Sequence, residues 1–349
     1  MSSAVRCVRL GVIGVGLAFR ELHLPVLLSR RSRFAVVALT SRSVLSARRA
    51  AAALKAETGA EPAVFASYEE LLASGLCEAV DIAVPIALTA PIARAAIESG
   101  CHVFAEKPLA DTVAECRGVI EMARARAVTL MVGENFRYQP RFHQCRRLVD
   151  QGVIGRPIVY RLNDMHYTAL DSKYASTTWR REGVHRGGYV VDGGTHIVAG
   201  MRVMVNSPVM EVHGMSACLN PALSNGQPDT LLLQIRFENG VIGQMALGYS
   251  GIDHESRKPK IYGDAGTLVL FSDRIEVWAP TGDVRTIPVE NTSQGFQEEW
   301  DDFHAAVTGG AQPAGTAEES LLDLAVIEAG LTAAEERRYV RVDDAASSI

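Results

Sequence analysis

Val103-Phe104-Ala105-Glu106-Lys107-Pro108 is the stretch on which the fold turns. Val103 to Ala105 close an apolar run that reads as a buried strand. Glu106 and Lys107 follow directly, where open parallel sheets bind ligands, at the carboxyl ends of their strands. Pro108 restricts Lys107 toward extended backbone, so the ammonium is held rather than loose. A lysine edged toward an apolar site can lose its charge cheaply or polarise an oxygen. The alternative is that Glu106 and Lys107 open an ordinary solvated loop, and the flanking sequence has to decide.

Upstream, residues 8–13 form a β-rich apolar run broken by Gly14-Val15-Gly16. A helical pattern then carries Leu22, Pro25, Val26 and Leu27. Strand, glycine turn and helix make the first unit of a dinucleotide fold. Gly14 permits the tight turn; Gly16, followed by Leu17, lets the backbone approach a pyrophosphate at the helix N-terminus. Phe19 stands where the fingerprint's third glycine would fall, which weakens the helix–strand packing argument but not the phosphate argument. Alone the motif is weak, because many such glycine turns bind nothing.

Residues 34–39 read as the second strand, closed by Thr40-Ser41-Arg42-Ser43 without a carboxylate. A hydroxyl beside a guanidinium suits a 2′-phosphate, so Ser41 and Arg42 point to NADP, with NAD as the alternative. The competing reading is a solvated Arg42 at the head of the helix predicted over 46–58. A short strand at 64–65 and a helix over 68–73, capped by Ser67 with Glu70, come next. Residues 79–84 are an apolar strand apart from Asp81, closed by Pro85, and a helix over 89–99 ends at Gly100. Strands and helices alternating with short connections predict an α/β, doubly wound parallel sheet.

The chain of 349 residues, 48% hydrophobic and 21% charged, is long for one core. It predicts two domains, 1–138 for the dinucleotide and 139–349 for substrate and oligomer contacts. A net charge of -5 gives no basic footprint, so nucleic acid is not expected as a partner. Pro85 and Pro91 break the apolar stretch over 82–96, so no membrane span is expected. Arg6, Cys7 and Arg9 run straight into a strand-like segment, unlike a signal peptide. The six cysteines are scattered, which argues against a metal site or disulfides and for a reducing, cytoplasmic setting.

After Tyr138 the texture changes. A linking helix over 140–150 leads to alternating segments at 157–162, 231–237, 241–247, 259–262, 266–271 and 274–278. With the hairpin signal Asn239-Gly240 they predict a mostly antiparallel sheet. Helices are expected over 293–308 and 318–336. Gly187 to His196 carries the chemistry of this half: with a helix starting near Gly193, Asp192 and His196 share a face or meet across its first turn. A carboxylate beside an imidazole orients it and raises its proton affinity. The alternative is an N-cap aspartate with an incidental core histidine. In the loop over 163–186, His166, Tyr167, Trp179 and Arg180 are candidates for the substrate cavity, or ordinary surface.

Taken together these motifs resemble the glucose–fructose oxidoreductase / inositol dehydrogenase / MocA (Gfo/Idh/MocA) family. The resemblance rests on Gly14-Val15-Gly16 with His23 and Pro25, on Val84-Pro85, and on Gly100 to Pro108. Gly133-Glu134-Asn135-Phe136-Arg137-Tyr138, Trp179-Arg180 and the Asp192-x-x-x-His196 spacing extend it. It implies cofactor contacts at Gly14, Gly16, Leu17, Ser41, Arg42, Val84, Pro85, Glu106, Lys107, Asn135 and Arg180. It implies a catalytic set of Lys107, Asp192 and His196, with Lys107 at the nicotinamide ribose and substrate hydroxyl. Substrate contacts fall to Lys107, His166, Tyr167, Trp179, Asp192 and His196. Ile86 and Thr89 depart from the family's frequent Asn and His, which puts those side-chain contacts in doubt. The expected function is an NADP(H)-dependent oxidoreductase of a sugar, cyclitol or related polyol, assembled as a dimer or tetramer through its C-terminal sheet. The alternatives are transient redox use of a tightly bound cofactor, or a dinucleotide-binding protein without catalysis.

Overall fold

The computed structural model describes residues 5–183 and 185–342. The chain divides into two compact units, Met1–Tyr138 with Gly295–Leu321 and Gln139–Gln294 with Leu322–Ile349.

The first unit is built on six parallel strands: β1 (Val8–Ile13), β2 (Phe34–Thr40), β3 (Ala63–Phe65), β4 (Ala79–Ile82), β5 (His102–Glu106) and β6 (Leu130–Gly133). Their order is β3-β2-β1-β4-β5-β6, so the winding reverses between β1 and β4, where a crevice opens at the carboxyl edge. Leu10, Val80, Ile82, Val103 and Phe104 are fully buried, as expected of central strands covered on both faces. The connecting helices are α1 (Leu24–Ser29), α2 (Val44–Thr58), α3 (Tyr68–Ala73), α4 (Ile86–Glu98) and α5 (Val113–Arg126). Hydroxyls of Ser43, Ser67 and Thr112 accept the N–H three residues on and cap α2, α3 and α5. The one helix predicted after the glycine turn is a π-helical turn, Phe19–His23, running into α1. Phe19 is fully buried in the apolar core there.

The second unit carries nine strands: β7 (Pro157–Met165), β8 (Val209–Ala217), β9 (Thr230–Phe237), β10 (Ile242–Gly248), β11 (Lys260–Gly263), β12 (Thr267–Leu270), β13 (Arg274–Trp278), β14 (Val284–Pro288) and β15 (Val340–Arg341). Their order is β14-β13-β12-β11-β7-β10-β9-β8-β15, and every pairing but β10 with β7 is antiparallel. Along β9 the residues Leu231, Leu233, Ile235 and Phe237 are buried while Leu232, Gln234 and Arg236 face outward. β8, β14 and the two-residue β15 escaped the sequence reading. Glu211, His213 and Gly214 interrupt the apolar alternation of β8, and β14 is almost wholly exposed and paired on one side only. Helices α6 (Pro140–Asp150), α7 (Thr178–Glu182), α8 (Gly188–Val205) and α9 (Pro221–Ser224) belong to this unit.

The expected division at residue 138 needs a correction. α10 (Phe296–Gly309) returns to the first unit, and the boundary falls inside α11 (Ala317–Glu336). Aromatic packing is the reason. Trp300 stacks on Phe104 with centroids 4.2 Å apart and meets Phe34 edge-on at 5.2 Å, while Phe303 meets Phe104 at 5.4 Å. Asp301 also accepts from Arg30 and Arg33, both at 2.7 Å. Trp300→Ala should therefore destabilise the dinucleotide unit by about 3–5 kcal/mol, read as an earlier midpoint in urea denaturation followed by far-UV circular dichroism. Unchanged unfolding would remove α10 from that core.

Candidate active site

In the first unit the residues expected at the cofactor gather on the carboxyl edge of the parallel sheet. Gly14 ends β1 with φ of 101°, and a Cβ there would collide with the Ala83 carbonyl oxygen just beyond β4. Only glycine fits this turn. Gly16 differs: it is exposed, and a Cβ on it would meet nothing within 4 Å. The space over Gly16 is thus left open by the protein, as a cradle for a pyrophosphate requires. Leu17 is half-buried beside it, and Val84 and Pro85 follow β4, with Pro85 as the N-cap of α4. At the end of β2, Ser41 is half-buried and Arg42 exposed, while Ser43 is occupied in capping α2. Asn135 is buried in a 3₁₀ turn, Asn135–Tyr138, after β6.

Glu106 and Lys107 are the end of β5 and its first following residue, both half-buried, and the Lys107–Pro108 bond is cis. The Lys107 backbone N–H donates to Glu106 Oε2 at 3.1 Å. Behind Glu106 lies a network that sequence reasoning did not assign. The His23 imidazole is fully buried, with Nδ1 3.0 Å from both carboxylate oxygens of Asp81 and Nε2 3.0 Å from Glu106 Oε1. Burial opposes the charged imidazole, but Asp81 and then Glu106 outweigh it and raise the His23 pKa well above the ordinary histidine value. Glu299 on α10 is fully buried, and burial, opposed by His23 and reinforced by Glu106, Glu134 and Asp81, raises its carboxyl well above the ordinary range. One signal was available in the sequence: Asp81 is the single charge in an otherwise apolar strand.

In the second unit, α8 begins at Gly188, five residues before the expected start near Gly193, so Asp192 is a helix-interior residue and not an N-cap. Its carboxylate accepts from Arg180 Nε on α7 at 2.7 Å, with side chains only 12% and 15% exposed. The Arg180 guanidinium lies 4.1 Å from the Trp179 ring centroid. Arg180, expected to approach the cofactor or substrate, thus has its Nε–H engaged with Asp192. His196 is one turn further along α8 and half-buried.

Two tyrosines that no sequence motif marks belong to this cluster. The Tyr249 hydroxyl lies against Gly193, where any Cβ would clash, and Tyr249 packs on Tyr189 at 5.4 Å. Burial pushes the Tyr189 phenol up to about 12, and its hydroxyl is buried without a hydrogen-bond partner. That orphan is a polar group suited to a ligand. His166 meets Tyr249 edge-on at 4.8 Å and stands 3.4 Å from the buried Asp164, which also accepts from Arg257 at 2.8 Å. His166, Tyr167 and Arg257 line a cavity of about 390 Å³. Tyr167 is exposed on its rim.

Known proteins match both units. Residues 8–134 match the family model for the NAD-binding Rossmann fold of the Gfo/Idh/MocA oxidoreductase family, and residues 146–342 match its C-terminal alpha/beta domain. An oxidoreductase from Thermotoga maritima shares the fold with a TM-score of 0.90 and 33% identity, covering 97% of this chain and 100% of that one. The 1,5-anhydro-D-fructose reductase of Ensifer adhaerens is 28% identical over 91% of this chain and 93% of its own length. The D-xylose 1-dehydrogenase [NADP(+)] of Haloarcula marismortui is 24% identical over 96% and 93%.

The two glycines of the turn should behave differently on substitution. Gly14→Ala forces a clash and a left-handed backbone on a residue with a side chain, so it should lower the melting temperature. Gly16→Ala should leave the melting temperature unchanged and weaken dinucleotide binding measured by calorimetry. Intact binding in Gly16→Ala would show that the cradle is not used.

Proposed function

The chain belongs to the Gfo/Idh/MocA oxidoreductase family, and from that premise we propose that it is an NADP(H)-dependent oxidoreductase of a secondary alcohol or ketone on a sugar, cyclitol or related polyol. The carrying observation is Glu106-Lys107 on the carboxyl edge of the parallel sheet, the same edge that carries the open space over Gly16. The turn over Gly14, Gly16 and Leu17 receives the pyrophosphate, and Ser41 with Arg42 receives a 2′-phosphate. Asn135, Val84 and Pro85 complete the cofactor set. The bound dinucleotide supplies hydride transfer at its nicotinamide ring.

The chain's own residues do the rest. Lys107 donates to the substrate oxygen and stabilises the charge that develops on it. His196 takes or returns the hydroxyl proton. Asp192, held by Arg180, sets the polar environment of that face of α8, and we place Arg180 in the substrate set with Trp179, His166 and Tyr167. A polyol fits a cluster so rich in hydrogen-bonding groups, the unpartnered Tyr189 hydroxyl included. The sugar substrates in the names of the Ensifer and Haloarcula relatives point the same way.

We also propose that copies of the chain associate through the open face of the large sheet. Met215 and Leu232, paired across β8 and β9, are 67% and 45% exposed there. Leu232→Glu should convert the oligomer to monomer in light-scattering chromatography; an unchanged mass would exclude this face.

A screen of sugars, inositols and keto-sugars with both nicotinamide cofactors, followed by the reduced-nicotinamide absorption band, tests the reaction. Lys107→Ala and His196→Ala should each lower kcat by roughly a hundred- to ten-thousand-fold while NADPH binding persists. Arg42→Ala should raise KM for NADPH far more than for NADH. Full turnover in either catalytic variant contradicts the mechanism, and equal KM changes in Arg42→Ala contradict the NADP preference.

A further inference from the structure

We propose that His23 is a positioning residue: a buried imidazolium clamp, anchored on Asp81, that fixes Glu106 and through it the backbone of Lys107. The inference deepens the proposed function, since it rests on Lys107 acting at the substrate oxygen.

Burial raises the Asp81 carboxyl and the facing His23 opposes it; with Asp81 and Glu106 both ionised, the geometry demands two protons on one ring. Both imidazole nitrogens face carboxylate oxygens at 3.0 Å. An ionised carboxylate only accepts, and a neutral imidazole has a single N–H. With one N–H, one of the two contacts would set lone pair against lone pair in a site closed to water. An imidazolium satisfies both. Asp81 is the fixed end: it is fully buried in the central strand β4, paired on either side by β1 and β5. The ring is also held sterically. Phe104 and Trp300 meet it edge-on with centroids 5.7 and 5.6 Å away. Glu106 therefore has one oxygen bound to His23, while the other accepts the Lys107 N–H at 3.1 Å. The chain of contacts runs from the middle of the sheet to the residue that carries the chemistry.

The ionisable groups facing this site are Asp81 from β4, Glu106 from β5 and Glu299 from α10, with Glu134 beyond β6 near Glu299. Burial raises the Glu299 carboxyl against the pull of His23, and the carboxylates in contact with the ring are Asp81 and Glu106. The raised His23 pKa means that the imidazolium, and with it the clamp, is lost as pH rises through that value. Removing the Asp81 charge lowers the His23 pKa, so the loss must come at lower pH.

Two readouts need no turnover. In nitrogen-15 spectra of wild-type protein with labelled histidine, both His23 nitrogens should resonate as imidazolium at neutral pH. In Asp81→Asn they should become those of a neutral ring, and exchange of the Lys107 backbone amide should rise about tenfold, the worth of a lost hydrogen bond to a charged group. With a substrate from the screen, Asp81→Asn should lower kcat, leave KM for NADPH unchanged and move the alkaline fall of kcat to lower pH. A neutral His23 in the wild type overturns the clamp, and this measurement requires no variant to fold. Unchanged Lys107 exchange in Asp81→Asn overturns the positioning role even where His23 is charged. A charged His23 and altered exchange with no turnover of any substrate would leave the clamp standing and refute the catalytic reading of Lys107.

Discussion

The first unit depends on a side chain that is not there. Gly14 turns at φ of 101° with its Cα against the Ala83 carbonyl, so the end of β1 lies directly on the end of β4. That close approach lets the chain leave β1 and rise over the sheet edge at the reversal in strand order. A Cβ would collide with that carbonyl and push the turn off β4. The same edge then receives the ends of β2 and β5, which bring Arg42 and Lys107. No side chain in this set has to travel far, because the strands end there.

A second constraint follows from what lies beneath the edge. An apolar parallel sheet is a poor solvent for charge, and yet Asp81 sits inside β4. An isolated buried carboxylate costs several kcal/mol, so it survives only with a partner of opposite charge and good geometry. The π-helical turn Phe19–His23 supplies that partner by delivering a histidine onto the sheet. Such local irregularity in a helix is typical of functional positions. The unusual helix, the unusual strand residue and Glu106 are therefore one feature, each explaining the presence of the other two.

How much of this was legible in the sequence varies by the range of the interaction that sets it. The parallel sheet, the glycine turn and the Glu-Lys-Pro edge were readable because apolar runs and glycine turns are local patterns. Most strands of the second sheet were readable by alternation, and β14 was not, because a strand exposed along its length has no alternation to show. The placement of α10 was not legible: its aromatic face is clear in sequence, but which core receives Trp300 is decided by Phe34 and Phe104, hundreds of residues earlier. The start of α8 was misplaced because glycines at 187, 188, 193 and 194 look like a loop. In the structure Gly193 is a packing position inside the helix, bared to admit the Tyr249 hydroxyl.

The pair Arg180–Asp192 shows why the site residues themselves were harder to read than the fold. Twelve residues and a helix boundary separate them, so no spacing rule joins them. Nor is the pair explained by stability. Burying two charges costs about what their attraction returns, and apolar replacements of similar volume are often neutral or better. A polar pair this poorly exposed, beside the unsatisfied Tyr189 hydroxyl, is unfavourable as plain core. It becomes reasonable if a hydroxyl-bearing ligand supplies the partner that the Tyr189 hydroxyl lacks. The second unit thus stores in advance the polar contacts that a folded apolar interior would not hold, and that surplus polarity is the physical reason to read it as the side that meets the substrate.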